Sequence, residues 1–204
     1  MSRKITVVAG AVLVALCAAA PSFATTTVYT TTLTGPNEAP PNASPGIGLG
    51  IVTVDDTSFS MRVQTVFFGL LGTVTNSHIH CCTAVPGVDT AGVATRTPTF
   101  LGFPSGGTSG AYDTTFDMTL AGSWNASYIT ANGGTPASAF AALSSGLNAG
   151  RGYLNIHSSS FGGGEIRGFL QPAVTAVPEP ESYALMLAGL AAVGWAARRG
   201  QRRA

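Results

Sequence analysis

The feature that most restricts the fold of this chain is a series of short segments in which apolar and polar residues alternate. Alternation with a period of two places successive side chains on opposite faces of a β-strand. Gly, Pro, Asn and Ser residues separate these segments, as turns between strands require. The predicted strands span residues 26–34, 48–55, 59–67, 72–80, 112–120, 152–157 and 165–170. We therefore expect an all-β domain, an antiparallel sandwich or barrel of about seven or more strands.

One segment breaks the alternation and predicts a single surface helix over residues 136–147. Thr135 suits the N-cap position and Pro136 suits the first helical position. Phe140 and Leu143 then recur on one face at helical spacing. Two segments rich in Gly, Pro and Thr are predicted to be loops, 82–111 and 122–134.

The N-terminal residues 1–24 have the pattern of a secretory signal peptide. Arg3 and Lys4 precede an apolar stretch over residues 5–20, and small residues flank the predicted cleavage site after Ala24. The apolar stretch is shorter than the roughly 20 residues that span a bilayer. We therefore expect cleavage rather than a permanent N-terminal anchor.

The C-terminal residues 173–204 have a second targeting pattern. Pro178, Glu179 and Pro180 precede an apolar stretch over residues 183–197 and a cluster of four arginines. A short apolar helix followed by arginines has the physics of a stop-transfer segment, and a plain membrane tail is one interpretation. The ordered combination resembles the PEP-CTERM sorting signal of Gram-negative bacteria. That resemblance implies recognition by an exosortase, which removes the tail during export.

Charge and cysteine content narrow the function of the region between the two ends. Residues 25–176 contain four arginines, no lysine and seven acidic residues, a net charge of −3. A nucleic-acid binder is excluded because phosphate binding needs clustered Lys and Arg. Cys17 leaves with the signal peptide, and the remaining cysteines are the adjacent pair Cys81 and Cys82. Such a pair can form a vicinal disulfide, remain reduced, bind a metal or pair with another molecule.

The three histidines lie on the polar faces of two predicted strands. His78 and His80 alternate with Ile79, and His157 follows the core residues of a later strand. If the chain after His157 returns as an antiparallel hairpin, His157 lies opposite Glu165. The same register places Asn155 opposite Arg167.

These polar residues support two interpretations. In the first, the histidines belong to a network that fixes strand register through hydrogen bonds and ion pairs, with Glu38 paired to Arg167. The network residues are Glu38, Asn155, Glu165 and Arg167. In the second, His78, His80 and His157 bind Cu or Zn, because three imidazoles suit those ions. Glu165 then acts as a ligand or orients His157. Cys81 and Cys82 are two further soft ligands in that interpretation.

Four motifs in order resemble the CHRD domain, which is named for its repeats in the protein chordin. The motifs occupy residues 33–41, 77–80, 153–157 and 164–168. The resemblance implies an all-β, extracellular domain without enzymatic activity. The chain departs from the family pattern at Cys81 and Cys82, where family members often have a small residue after the second histidine.

We therefore expect a signal peptide, a CHRD domain over residues 25–172 and a sorting tail with a short transmembrane helix. The expected function is that of a non-enzymatic structural or interaction protein of the cell envelope or extracellular matrix, without a cofactor. Its expected partners are exosortase, the export machinery, and exopolysaccharide or surface proteins, with membrane contact only through the tail before processing. The alternative is a periplasmic Cu- or Zn-binding protein, with or without redox activity, that uses the three histidines.

Overall fold

The computed structural model describes residues 26–173 and 186–190 of the chain. The predicted signal peptide and the residues Pro178, Glu179 and Pro180 lie outside the described residues. Within the predicted apolar stretch, residues 186–190 are helical. No helix among the described residues is long and apolar enough to cross a membrane.

Eight strands and two α-helices make up the domain, together with two short 3-10 turns. The strands are β1 (Thr26–Thr34), β2 (Ile47–Asp55), β3 (Ser60–Phe68), β4 (Val74–His80), β5 (Gly110–Asp117), β6 (Tyr153–Ser158), β7 (Ile166–Phe169) and β8 (Gln171–Pro172). The helices are α1 (Ala126–Ala131) and α2 (Pro136–Asn148). Each of the predicted strands matches an observed strand, with ends that differ by at most three residues.

All eight strands belong to one antiparallel sheet, which is curled into a half-barrel. The spatial order is β4-β6-β7-β1-β2-β3-β5, and β8 pairs with the opposite end of β1 from β7. The first strand of the domain is therefore central and pairs with the last two. This architecture confirms the all-β prediction.

The predicted helix is observed as α2, and its N-terminus explains why the segment leaves the sheet. The Thr135 side chain accepts a hydrogen bond from the backbone N–H of Ser138, and the Ser138 hydroxyl interacts in turn with the backbone N–H of Thr135. This reciprocal pair is a capping box. The segment predicted as a loop over 122–134 contains α1, which the pattern did not predict. Asn125 caps α1 by accepting a hydrogen bond from the backbone N–H of Ser127.

One face of the sheet carries the hydrophobic core. Its buried side chains come from alternate positions of the strands, such as Leu33, Val63 and Leu154, and α2 packs among them through Phe140 and Leu143. Because side chains alternate along a strand with a period of two, the residues between these core positions lie on the opposite face.

We call this opposite side the outer face. Cross-strand pairs define it, because directly paired residues lie on the same face of an antiparallel sheet. One series of pairs runs from His78 through Asn155 to Arg167, and another runs from Thr32 through Leu49 to Val66. Arg167 pairs with Thr34, which joins the two series. Residues 81–99, the covering segment, pass along the edge of β4, where the N–H groups of Ala94 and Thr95 donate to the carbonyl of Ile79. The middle of this segment lies over the outer face, because the Ala91 carbonyl contacts His80 and the Asp89 carbonyl contacts Arg167. The outer face of β2 and β3 carries exposed side chains.

Candidate metal centre and adjacent groove

Three imidazoles meet beneath the covering segment. β4 supplies His78 and His80, and the neighbouring strand β6 supplies His157. One ring nitrogen from each histidine lies within 4.8 Å of the corresponding nitrogens of the other two. The shortest separation joins Nδ1 of His78 to Nε2 of His80, at 3.2 Å. Only 5% of His78 and 7% of His157 is exposed, whereas His80 is partly exposed, so solvent access to the cluster is restricted.

Backbone carbonyls fix the protonation of the rings. Nδ1 of His80 lies 2.8 Å from the carbonyl oxygen of Ala91, and Nδ1 of His157 lies 2.9 Å from that of Gly162. A carbonyl only accepts, so in each neutral ring Nδ1 carries the hydrogen and Nε2 carries the lone pair. A hydrogen bond with the backbone of Pro98 also acts on the ring of His78 and favours its protonated form.

The cluster is uncharged near neutral pH. Burial lowers the pKa of His78 to about 3 and that of His80 to about 4, and the neighbouring imidazoles reinforce both shifts. Burial also lowers the pKa of His157, although its hydrogen bond to Gly162 opposes the shift. Nε2 of His157 is buried and has no hydrogen-bond partner. The cluster thus presents lone pairs rather than positive charge.

A stacked row of side chains connects the cluster to an ion pair. The ring of Tyr153 stacks on that of His80, with 4.7 Å between centroids, and the guanidinium of Arg167 lies 4.8 Å from the centroid of Tyr153. Arg167 Nε is 3.8 Å from Glu38 Oε2, and Arg167 Nη1 donates to the carbonyl of Asp89. The structure therefore forms the predicted pair of Glu38 with Arg167.

Glu38 and Asn155 keep buried atoms without partners. Burial raises the pKa of Glu38 to about 7, although the charge of Arg167 and hydrogen bonds from Ala39 and Asn155 oppose the shift. Oε1 of Glu38 and Oδ1 of Asn155 are buried and form no hydrogen bond within the described chain. Asn155 lies opposite Arg167 in the ladder, as the sequence predicted.

Glu165 does not join the histidines. Its fully buried carboxylate accepts hydrogen bonds from the hydroxyl of Ser44 and from the backbone N–H groups of Leu71 and Gly72. Burial alone would raise the pKa of Glu165, but these bonds and one from Ser158 bring it below its ordinary value. The interpretations of Glu165 as a metal ligand and as the group that orients His157 find no contact here. Gly162 orients His157 instead.

Cys81 and Cys82 form a disulfide bond with each other across a cis peptide. Of the alternatives that the sequence left open, the structure shows the vicinal disulfide. The disulfide lies against Gly146 of α2, where a Cβ atom would overlap both sulfurs. Among the described residues, the cluster with metal-ligand spacing contains histidines only.

A groove of about 930 Å³ lies between the outer face and residues 87–89 of the covering segment. Leu49 and Ile51 of β2 and threonines of β1 line it on the sheet, and Val88 and Asp89 line it on the covering segment. Glu38, Arg167 and Phe169 also line the groove. Sequence patterns did not predict it, because its second wall is an aperiodic loop.

Two family models match the chain. One described as CHRD domain matches residues 29–170, and one described as PEP-CTERM protein-sorting motif matches residues 176–203. The first match extends from within β1 to the end of β7 and includes every side chain of the histidine cluster. Both resemblances predicted from the sequence are confirmed. No curated protein and no solved structure matches the chain.

Proposed function

Because the chain belongs to the CHRD-domain family and carries an exosortase-dependent PEP-CTERM sorting motif, we propose that the exported domain is a non-enzymatic interaction protein of the cell envelope or extracellular matrix. The motif indicates export and envelope sorting in a Gram-negative bacterium. The partner that we propose is a matrix polysaccharide, which lies across the groove and the neighbouring exposed part of the outer face.

The observation that carries this proposal is the apolar surface of β2 and β3. Leu49 is 57% exposed and Phe68 is 58% exposed, and Ile51 and Val66 are exposed beside them. Leu49 and Val66 are direct cross-strand partners, so these side chains form one surface rather than scattered positions. Contiguous exposed apolar surface on a soluble domain is typical of an interaction site.

The chemistry of the groove favours a sugar polymer over a charged ligand. Sugar rings combine an apolar C–H face with a rim of hydroxyl groups. Leu49 and Ile51 offer an apolar floor, and the hydroxyl groups of Thr30 and Thr32 lie beside it. The charges of Arg167 and Glu38 are paired with each other, and the acidic domain disfavours a polyanion.

The position of the histidines favours binding over catalysis in the groove. Imidazoles are the most common acid–base groups in enzymes. None of the three histidines lines the groove, and His78 and His157 are buried. A ligand in the groove therefore does not meet them.

The test is retention of the protein by the matrix of the bacterium that produces it. Leu49→Asp replaces an apolar contact with a charge on the exposed sheet face, where it should leave folding intact. Loss of a central interface contact costs about 2 kcal/mol or more, about 30-fold in affinity. Immunoblots should therefore show the variant shifted from the matrix fraction to the medium.

The matched control is Leu120→Asp, because Leu120 is also 57% exposed but follows β5 and lies off this surface. Its retention should equal that of the wild type. Periodate oxidation of the matrix sugars should release the wild-type protein. Release by protease treatment alone would identify a surface protein as the partner instead. Equal retention of both variants would overturn the proposal.

A further inference from the structure

We infer that His78, His80 and His157 form a binding site for one copper or zinc ion. This inference goes beyond the proposed function, because the histidines lie outside the groove and need no matrix partner. Three features of the cluster support a metal site: the separation of the nitrogens, the hydrogen bonds that fix the rings, and a donor set that contains only imidazoles among the described residues.

The separations fit one ion. In a site with metal–nitrogen bonds of about 2.0–2.1 Å, ligand nitrogens lie roughly 3.3 Å apart. His78 Nδ1 and His80 Nε2 are already 3.2 Å apart, and the cluster as a whole lies within 4.8 Å. The longest separation must shorten by about 1.5 Å for all three nitrogens to bind one ion.

The hydrogen bonds leave the lone pairs facing one another. His80 and His157 each use Nδ1–H for a backbone carbonyl, so their Nε2 atoms have lone pairs. His78 faces two acceptors, the Pro98 carbonyl and Nε2 of His80. Because a neutral ring has one N–H, it can donate to only one of them, and its other ring nitrogen has a lone pair. A bound cation would accept all three lone pairs, including that of Nε2 of His157, which has no partner.

The donor set selects the kind of ion. Three imidazoles without a carboxylate suit zinc and copper rather than magnesium or calcium. The carbonyls of Ala91 and Gly162 orient two of the rings, as second-layer groups do in known metal sites. Three protein ligands leave a fourth coordination position for water, and His80 is partly exposed, whereas His78 and His157 are buried.

The inference is tested by metal binding to the domain over residues 25–176, which includes every described strand and both α-helices. After chelation and desalting, the protein is titrated with Zn(II) and, separately, with Cu(II). We expect one equivalent of at least one metal to remain bound through gel filtration. At free metal one hundredfold above Kd, the Tm should rise by about 5 to 10 °C.

His157→Ala should remove both the stoichiometric binding and the Tm shift. The matched control is Asn76→Ala, because Asn76 is the cross-strand partner of His157 but does not belong to the cluster. It should bind metal as the wild type does. A His157→Ala variant that binds as tightly as the wild type, or a wild type that binds neither metal, would overturn the inference.

Nitrogen NMR of the wild-type rings provides a test that does not depend on a folded variant. In the metal-free domain His80 and His157 should be neutral Nδ1–H tautomers, and Zn(II) should shift their Nε2 resonances. The opposite tautomer, or Nε2 resonances that do not respond to either metal, would refute the site. The Leu49→Asp variant should bind metal normally, which keeps this result separate from matrix retention.

Discussion

The buried carboxylate of Glu165 gives the sharpest prediction about stability. Glu165→Gln keeps the size of the side chain but removes its charge and places an NH₂ group where an oxygen accepted hydrogen bonds. Oε1 accepts from Ser44 at 2.6 Å and from Leu71 at 2.5 Å, and Oε2 accepts from Gly72 at 3.2 Å. The best orientation of the glutamine therefore points its NH₂ group at the N–H of Gly72.

The magnitude follows from these contacts. A hydrogen bond to a charged group contributes about 1.5–3 kcal/mol, and bonds to a neutral acceptor are roughly half as strong. Loss of the Gly72 bond and weakening of the other two, partly offset by the easier burial of a neutral amide, gives about 3 kcal/mol. For a domain of this size the Tm should fall by about 6 to 12 °C.

Calorimetry and urea unfolding at pH 7 measure this change in the metal-free domain. The pKa of Glu165 is below its ordinary value, so the carboxylate stabilises the fold above pH 4.5, the ordinary pKa, and this stabilisation declines as the pH falls further. The difference between wild type and Glu165→Gln should therefore shrink below pH 4.5.

Asp113→Asn is the matched control, because it makes the same chemical change at an exposed ion pair. Asp113 and Arg62 are 2.6 Å apart, and both side chains are 49% exposed. Such a pair contributes at most about 1 kcal/mol. A Glu165→Gln variant that loses no more stability than Asp113→Asn would refute the account of Glu165 as the acceptor that holds these loops.

Further predictions concern pH and glycine packing. In the metal-free domain His78 and His80 have pKa values of about 3 and about 4, so near pH 5.5 the unfolded state holds about two protons that the folded state lacks, and the lowered pKa of His157 adds to that difference. The raised pKa of Glu38, about 7, gives the folded state one extra proton at this pH. Stability should therefore decline by about 1.3 kcal/mol or more for each unit by which the pH falls near pH 5.5, and an unfolding midpoint constant from pH 7 to 5 would contradict this. Gly168→Ala places a Cβ against Thr31 and the backbone of Thr32, so we expect a loss of about 3 kcal/mol in urea unfolding. Gly163→Ala meets no atom within 4 Å and should be near neutral; equal effects would refute the packing argument.

Much of the sheet was predictable because alternation is a local property of each strand. The prediction placed His78 and His80 on the polar face of their strand, and cross-strand pairs in the structure place them on the outer face. The hairpin register also predicted Asn155 opposite Arg167, because both belong to regular strands.

The prediction for Glu165 depended on extending that register by one more pair. Gly164 has a φ of +131°, a conformation that favours glycine, and the regular ladder ends at Ile156 and Ile166. Alternation therefore does not carry through to the Glu165 side chain. The carbonyls of Ala91 and Pro98 were equally beyond prediction, because they belong to a loop without periodicity.

The place of β1 in the sheet has a consequence for the order in which the exported chain can fold. β1 is the first strand of the domain, yet its partners β7 and β8 are the last, and Ala173 still donates to the carbonyl of Val28. A chain that emerges N-terminus first presents β1 long before these partners exist on the same side of the membrane. Completion of the sheet must therefore wait until nearly the whole domain has been translocated, just before the sorting motif arrives.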